Sequence, residues 1–179
     1  MAVTIYYDND ADLGVLEGKK IAIIGYGIQG SAQSMCLRDS GLDVIISEIP
    51  SSPNYEKAKA DGWDVYDDAG AAARDADLIQ ILTQDHVQKA VYTNLIAPNL
   101  SEGNALIFSH GFNIHYGQIV PPPFVDVFMV APKGPGALVR ECYISDTGVP
   151  SLLAIYQDAT GKAKDYGLAY AKAIKATKA

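Results

Sequence analysis

The feature that most constrains the fold is a glycine-rich turn that joins an apolar segment to a helical one. Residues 20–24 (KIAII) are apolar and β-branched, as in a strand buried on both faces. The pattern G-x-G-x-x-G follows at Gly25, Gly27 and Gly30, and residues 31–40 lack proline and glycine, as a helix should. Such glycines make the turn, admit a pyrophosphate to the backbone and let the helix pack on the strand. The pattern therefore predicts a dinucleotide site.

The rest of the chain alternates apolar, strand-like segments with helical ones. Further strands are predicted at residues 43–47, 63–66, 77–82, 104–109, 126–131 and 151–156. Further helices are predicted at residues 55–60, 69–76, 86–95 and 160–174. This alternation indicates βαβ units and a mostly parallel sheet that is covered on both faces. We predict one doubly wound α/β domain of the Rossmann type, a single dinucleotide-binding domain over residues 1–179.

Charge and cysteine content exclude several classes of function. The chain has 14 Lys and Arg against 21 Asp and Glu, a formal net charge of −7, whereas nucleic-acid surfaces need clustered cations. No apolar run approaches the roughly 20 residues of a membrane span, and the acidic N-terminus does not resemble a signal peptide. Cys36 and Cys142 form neither a zinc pattern nor a disulfide framework. We expect a cytoplasmic protein without a nucleic-acid or membrane partner.

Cofactor choice depends on the loop after the second predicted strand. Glu48 ends that strand, and a carboxylate there accepts hydrogen bonds from an adenosine ribose and repels a 2′-phosphate. Alternatively, Ser51 and Ser52 donate to a 2′-phosphate while Glu48 is turned outward, or Glu48 is only a solvated strand end. Residues 39–56 contain no lysine or arginine to pair with such a phosphate. The sequence favours NADH and leaves NADPH open.

Several longer motifs carry a family resemblance. They are YGIQG at 26–30, SHGFNIHY at 109–116, APKGPG at 131–136, GVP at 148–150 and QDATG at 157–161. In this order they closely resemble the N-terminal, nucleotide-binding domain of ketol-acid reductoisomerase (acetohydroxy acid isomeroreductase), an oxidoreductase of valine and isoleucine biosynthesis. The family enzyme isomerises an acetohydroxy acid with the help of Mg²⁺ and reduces the intermediate with a nicotinamide hydride. The resemblance implies a part in the same reaction here.

The resemblance also implies which residues form the site. Beside the three glycines of the turn, it assigns the cofactor to Tyr26, Ile28, Gln29, Ser51, Ser52, Asp85, His86, Val87, Gln88 and Gly136. It assigns catalysis to His110 and Lys133. Both follow predicted strand ends, where open α/β sheets bind ligands. An imidazole there can exchange a proton with substrate oxygens, and an ammonium can stabilise alkoxide charge.

Departures from the family pattern limit these expectations. Ile28 stands where the family usually has serine, and Ile49 where arginine is common, which weakens NADP recognition. The family's second, helical domain, which binds two Mg²⁺ ions, should begin after Ala179. We therefore expect no metal site in the chain, cofactor binding without turnover of acetohydroxy acid, and a monomer or weak dimer. The alternative function is a non-catalytic dinucleotide-binding module, a sensor or scaffold.

Overall fold

The apolar segments form the strands of one sheet. In the computed structural model, which describes residues 3–179, the strands are β1 (Lys20–Ile24), β2 (Asp43–Ser47), β3 (Val65–Tyr66), β4 (Leu78–Ile81), β5 (Ala105–Phe108), β6 (Asp126–Pro132) and β7 (Ser151–Gln157). Their order in the sheet is β3-β2-β1-β4-β5-β6-β7. All neighbouring strands are parallel except β6 and β7, which are antiparallel. The predicted doubly wound, mostly parallel sheet is confirmed.

Helices connect most of these strands. They are α1 (Ile28–Asp39), α2 (Pro53–Ala60), α3 (Ala69–Asp75), α4 (Asp85–Val91), α5 (Phe112–His115), α6 (Gly136–Ile144) and α7 (Ala163–Ala173). A π-helical segment, Tyr92–Ile96, and a 3-10 turn, Ala97–Asn99, continue α4. Further 3-10 turns lie at Asp8–Asp10, Leu13–Leu16 and Ala176–Lys178. Within residues 3–179, none of the helices has the length and hydropathy needed to cross a lipid bilayer.

All five predicted helices have somewhat different bounds in the structure, and three of the differences have a clear structural cause. Helix α1 begins inside the glycine motif, because Gly27 is its N-cap and accepts a hydrogen bond from the Ser31 N–H at 2.9 Å. Helix α4 gives way to the π-helical segment after Val91. Helix α7 begins after residue 160, because the Thr160 N–H and hydroxyl both donate to the Asp126 carboxylate. Helices α5 and α6 were not predicted from the sequence.

Alternate residues of the central strand supply two apolar layers. Ile21 and Ile23 of β1 face a cluster that includes side chains of α1, α6 and α7. Ala22 and Ile24 face the opposite cluster, in which α3 contributes small alanines that allow it to lie close to the sheet. This alternation is the period of a strand buried on both faces, and Cys36 lies fully buried in the first layer.

The site is positioned by the point at which the strand order reverses. Strand β1 has β2 on one side and β4 on the other, so the connections that leave β1 and β4 run in opposite directions across the sheet. Open α/β sheets bind ligands in the crevice at this place, beyond the carboxyl ends of the strands. Gly25 begins the turn after β1 with a φ of 100°, which favours glycine. A Cβ at Gly30 would overlap the carbonyl oxygen of Gly25, so α1 can leave β1 closely.

Candidate dinucleotide site

The Glu48 carboxylate is turned toward the glycine motif. Its Oε2 accepts a hydrogen bond from the Tyr26 N–H at 2.8 Å, and its Oε1 accepts one from the Ile49 N–H at 3.0 Å. In this structure the half-buried Glu48 side chain is thus bonded to the main chain rather than turned outward. Ser52 caps α2 instead, since its hydroxyl accepts from the Asn54 N–H at 3.1 Å. Ser51 is exposed in the same loop.

The Tyr26 side chain belongs to the core rather than to the cofactor surface. Its hydroxyl accepts a hydrogen bond from Trp63 Nε1 at 2.8 Å and donates one to Asp61 Oδ2 at 2.9 Å. Burial, reinforced by the bond to Asp61, raises the pKa of Tyr26 to about 12. The Tyr26 side chain is therefore turned away from the predicted pyrophosphate site, and its main-chain N–H already donates to Glu48. The neighbouring Ile28 side chain is 72% exposed.

The space above the second glycine of the motif is open. A Cβ at Gly27 would meet nothing within 4 Å, so a phosphate can approach the main chain there. Gly136 is different, because a Cβ at this position would overlap the carbonyl oxygen of Ile28. Gly136 is buried and allows the start of α6 to lie against the start of α1. In the structure Gly136 thus lies in the packing between two helix ends. Its contact with the nicotinamide stays a prediction.

A cleft runs along the carboxyl ends of β1, β4, β5 and β6. It is lined by Gln29, Ile81, Leu82, Thr83, Asp85, Gln88, Ser109, His110 and Pro132. The Thr83 hydroxyl is shielded from solvent and has no hydrogen-bond partner among residues 3–179. Buried polar atoms normally have a partner, so this hydroxyl is suited to a polar group of a ligand. The open main chain at Gly27 and the unpaired Thr83 hydroxyl both fit a nicotinamide dinucleotide.

The two candidate catalytic residues lie at the ends of β5 and β6. Nδ1 of His110 is 3.1 Å from Oδ2 of Asp85 at the start of α4. The His110 side chain is 68% exposed, so solvent or a ligand can reach it. Lys133 is exposed, its main-chain N–H donates to the Pro150 carbonyl at 2.9 Å, and its ammonium has no ion pair within the described part of the chain.

The remaining residues predicted around α4 differ in accessibility. Gln88 is buried, donates to the Thr83 carbonyl at 2.9 Å and accepts from Asn113 Nδ2 at 2.9 Å. It therefore ties the cleft to helix α5 of the SHGFNIHY motif. His86 is exposed and Val87 half-buried, and neither lines the cleft that Asp85 and Gln88 line. Across residues 3–179 the structure has no group of three or more His, Cys, Asp or Glu side chains arranged to hold a metal ion.

Comparison with known proteins identifies the family. A family model described as "Acetohydroxy acid isomeroreductase, NADPH-binding domain" matches residues 15–179. The chain belongs to the ketol-acid reductoisomerase family. A ketol-acid reductoisomerase (NADP(+)) of Petrotoga mobilis is 57% identical over 177 residues, which make up 99% of this chain and 53% of that protein. The chain thus spans about half the length of the relative it matches.

Solved structures agree with this assignment. An NADH-preferring ketol-acid reductoisomerase from an uncultured archean superimposes with a TM-score of 0.95 at 48% identity, covering 98% of this chain and 54% of that one. A semialdehyde dehydrogenase NAD-binding protein from Cupriavidus necator, at 22% identity and a TM-score of 0.71, covers 88% of this chain and 60% of that one and shares the fold alone. The family resemblance and the Rossmann-type fold predicted from the sequence are confirmed, and the chain corresponds to the family's nucleotide-binding domain.

Thr83 was not singled out from the sequence. It had a usable signal, because it is a polar residue that follows a buried strand at the ligand-binding edge.

Proposed function

We propose that this chain is the nucleotide-binding part of a ketol-acid reductoisomerase, which binds a reduced nicotinamide dinucleotide and presents His110 and Lys133 to an acetohydroxy acid. The observation that carries the proposal is the cleft, which joins Gln29 of the glycine motif, the unpaired Thr83 hydroxyl and His110. These groups come from the ends of β1, β4 and β5, where this fold binds its ligands.

The pyrophosphate is proposed to lie at the start of α1. The first N–H groups of a helix have no acceptor within it, and the helix dipole favours negative charge at that end. Helix α1 has no side-chain cap at Gly27, and the approach to Gly27 is open. The N–H groups of Gly25 and Tyr26 already donate to the Ser47 carbonyl and to the Glu48 carboxylate. The main-chain contacts proposed for the pyrophosphate are therefore those of Gly27, Ile28, Gln29 and Gly30, and Gln29 also lines the cleft with its side chain.

The chemistry of this half of the reaction is assigned to two side chains. The bound dinucleotide supplies the hydride. Asp85, 3.1 Å from Nδ1 of His110, orients the imidazole and leaves Nε2 free to exchange a proton with a substrate oxygen. The Lys133 ammonium is free to stabilise negative charge on that oxygen. Residues 3–179 do not fit a Mg²⁺ site, so we assign the Mg²⁺ ligands, and with them the isomerisation, to the family's helical domain.

We further propose that NADH is preferred over NADPH. The Glu48 carboxylate, held at the Tyr26 N–H, is suited to accept hydrogen bonds from ribose hydroxyls and would repel a 2′-phosphate. The cations that flank this loop are already engaged. Lys57 pairs with Asp61 at 2.7 Å, and Arg38 donates to the Asp61 carbonyl at 3.2 Å. Lys57 and Arg38 thus already have partners, so neither is a ready substitute for the arginine that the family often has at the position of Ile49.

Titration with NADH and NADPH, followed by the fluorescence of the reduced nicotinamide, tests dinucleotide binding. We expect saturable binding of both, tighter for NADH. Gly27→Ala should weaken binding while changing the melting temperature little, because the added Cβ occupies the phosphate approach and meets no protein atom within 4 Å. Failure of the unmodified chain to bind either dinucleotide would contradict the proposal.

Turnover distinguishes the catalytic proposal from the non-catalytic alternative. The 179-residue chain is expected to give no Mg²⁺-dependent turnover of an acetohydroxy acid by itself, and to give turnover once a family helical domain is added in trans. Turnover by the chain alone would contradict the assignment of the Mg²⁺ site to the helical domain. Binding of NADH without turnover in the presence of that domain would favour a sensor or scaffold.

A further inference from the structure

A buried hydrogen-bond network lies next to the cleft, and the proposed function does not account for it. We call it the amide network, and it consists of Gln29, Gln33, Gln80, Ser109 and Tyr170. Gln33, Gln80 and Tyr170 are 0% exposed. Burying amides and a phenol is costly unless they are hydrogen-bonded, whereas apolar side chains would fill the same space without that cost. The network therefore calls for a role other than packing.

One branch of the amide network reaches the loop of Lys133. The Tyr170 hydroxyl on α7 donates to Gln33 Oε1 at 2.8 Å. Gln33 Nε2 donates to Gln29 Oε1 at 3.0 Å, and Gln29 Nε2 donates to the Gly134 carbonyl at 2.9 Å. Gly134, the residue after Lys133, is thus hydrogen-bonded directly to Gln29 of the glycine motif. Through Gln29 and Gln33 it is connected to Tyr170 on α7.

The second branch reaches the residue before His110. Gln33 Nε2 donates to Ser109 Oγ at 3.2 Å, and Gln80 Nε2 donates to the same oxygen at 2.9 Å. Ser109 Oγ then donates to the Val130 carbonyl of β6 at 2.9 Å. Gln33 is the branch point, because its one amide nitrogen serves both branches.

The chemistry at the ends of the network determines the direction of every bond. The carbonyls of Gly134 and Val130 can only accept. In the bond to Gly134, Gln29 therefore donates through its amide nitrogen. In the bond to Val130, Ser109 donates its only hydroxyl proton. Gln29 and Ser109 can then act toward Gln33 only as hydrogen-bond acceptors. The amide nitrogen of Gln33 must therefore face them, and its amide oxygen must face Tyr170. The Tyr170 hydroxyl is the donor that satisfies this oxygen.

We infer that Tyr170 and Gln33 are positioning residues, which hold the loops of His110 and Lys133 in register with the glycine motif. The inference rests on the proposed function for the roles of those loops. Without the Tyr170 donor, Gln33 Oε1 is buried and has no hydrogen-bond partner. Rotating the Gln33 amide by 180° does not solve this, because its oxygen would then face the acceptor oxygens of Gln29 and Ser109. Either result loosens both loops at once, although Tyr170 itself does not line the cleft.

Tyr170→Phe is the decisive variant, because it removes one hydroxyl and keeps the ring. We expect about three- to tenfold weaker NADH binding, the range that corresponds to the loss of one net hydrogen bond. We also expect shifted main-chain amide resonances at His110 and Gly134. Tyr166→Phe is the matched control, since Tyr166 is also buried on α7 and its hydroxyl makes no hydrogen bond within residues 3–179. It should leave affinity and both resonances unchanged.

Gln33→Glu tests the branch point with almost no change in shape. The carboxylate still accepts from Tyr170 but cannot donate to Gln29 or Ser109, so NADH affinity and both loop resonances should change more than in Tyr170→Phe. If Gln33→Glu does not fold, Tyr170→Phe carries the test alone. Equal effects of Tyr170→Phe and Tyr166→Phe on affinity and resonances would overturn the inference. The resonances report on the network even if the unmodified chain binds no dinucleotide, so failure of the proposed function is recognised separately.

Discussion

Glu48 shows how one side chain can prepare a site through main-chain contacts. Its two carboxylate oxygens accept from the N–H groups of Tyr26 and Ile49, one in the glycine motif and one in the next loop. The carboxylate therefore joins the two segments that are proposed to contact the adenosine end of a dinucleotide. A carboxylate held by two N–H groups is well ordered before a ligand arrives, which reduces the entropy lost on binding.

Replacing Glu48 by glutamine should shift cofactor preference. Glu48→Gln keeps the size of the side chain but removes the charge that repels a 2′-phosphate and replaces one acceptor by a donor. We expect NADH affinity to fall and NADPH affinity to rise, each by about three- to tenfold, since each change is worth about one hydrogen bond. Parallel titrations of the two dinucleotides measure the ratio. Glu56→Gln, an exposed change on the adjacent α2, is the control, and an equal shift there would indicate a general charge effect.

The candidate site was partly predictable because its residues stand next to strand ends. The glycine motif, His110 and Lys133 follow buried apolar segments, and parallel strands present their carboxyl ends at one edge. The amide network was not predictable on this basis. Gln33 bonds to Ser109 and Tyr170, which are 76 and 137 residues away in the chain, and no local pattern reports a bond across such separations.

At the scale of elements, two helix ends are joined by charge. Asp146 follows α6 with a φ of 61°, and Lys175 follows α7 with a φ of 60°. Lys175 and Lys178 lie 2.8 Å and 2.7 Å from the Asp146 carboxylate. Their hydrogen bonds lower the pKa of Asp146 to about 2. Both left-handed residues thus end a helix and pair with each other, which holds the C-terminal segment against α6.

The pKa of Asp146 predicts a pH dependence of stability. A carboxyl whose pKa is lower in the folded than in the unfolded chain stabilises the fold above its usual value of 3.8, and this contribution is lost as the pH falls toward 2. Asp146→Asn should therefore lower the urea midpoint at pH 7 and have little effect at pH 2. Asparagine tolerates the left-handed conformation, so the backbone is not strained. Glu102→Gln, an exposed change without an ion pair in the described residues, should alter neither midpoint.

Strand positions were predicted more accurately than helices, for a physical reason. Buried strands such as β1 and β5 are short, β-branched or aromatic runs whose ends coincide with glycine or polar residues. Helix α6 begins with Gly136 after a proline, a sequence typical of a turn. Its helical start depends on close contact with the Ile28 carbonyl, which lies in a distant part of the chain. Tertiary contact, rather than local preference, determines this element.

At the scale of the whole molecule, the sheet ends in an incompletely covered strand. β7 pairs with β6 only and forms one edge of the sheet. Leu152 and Tyr156 on this strand are 53% and 62% exposed, and Phe112 and Tyr116 of the SHGFNIHY motif are 43% and 63% exposed. Apolar side chains at a sheet edge favour association with another surface.

This edge predicts weak self-association of the chain in solution. We expect the average mass from light scattering to rise with protein concentration, and Tyr156→Lys to keep the chain monomeric, because a lysine on an edge strand opposes pairing and breaks the apolar surface. Ile144→Lys is the matched control, since Ile144 is 69% exposed but lies at the end of α6. It should associate as the unmodified chain does. If both variants prevent association, net charge rather than the β7 edge controls it; if neither does, the contact lies elsewhere on the molecule.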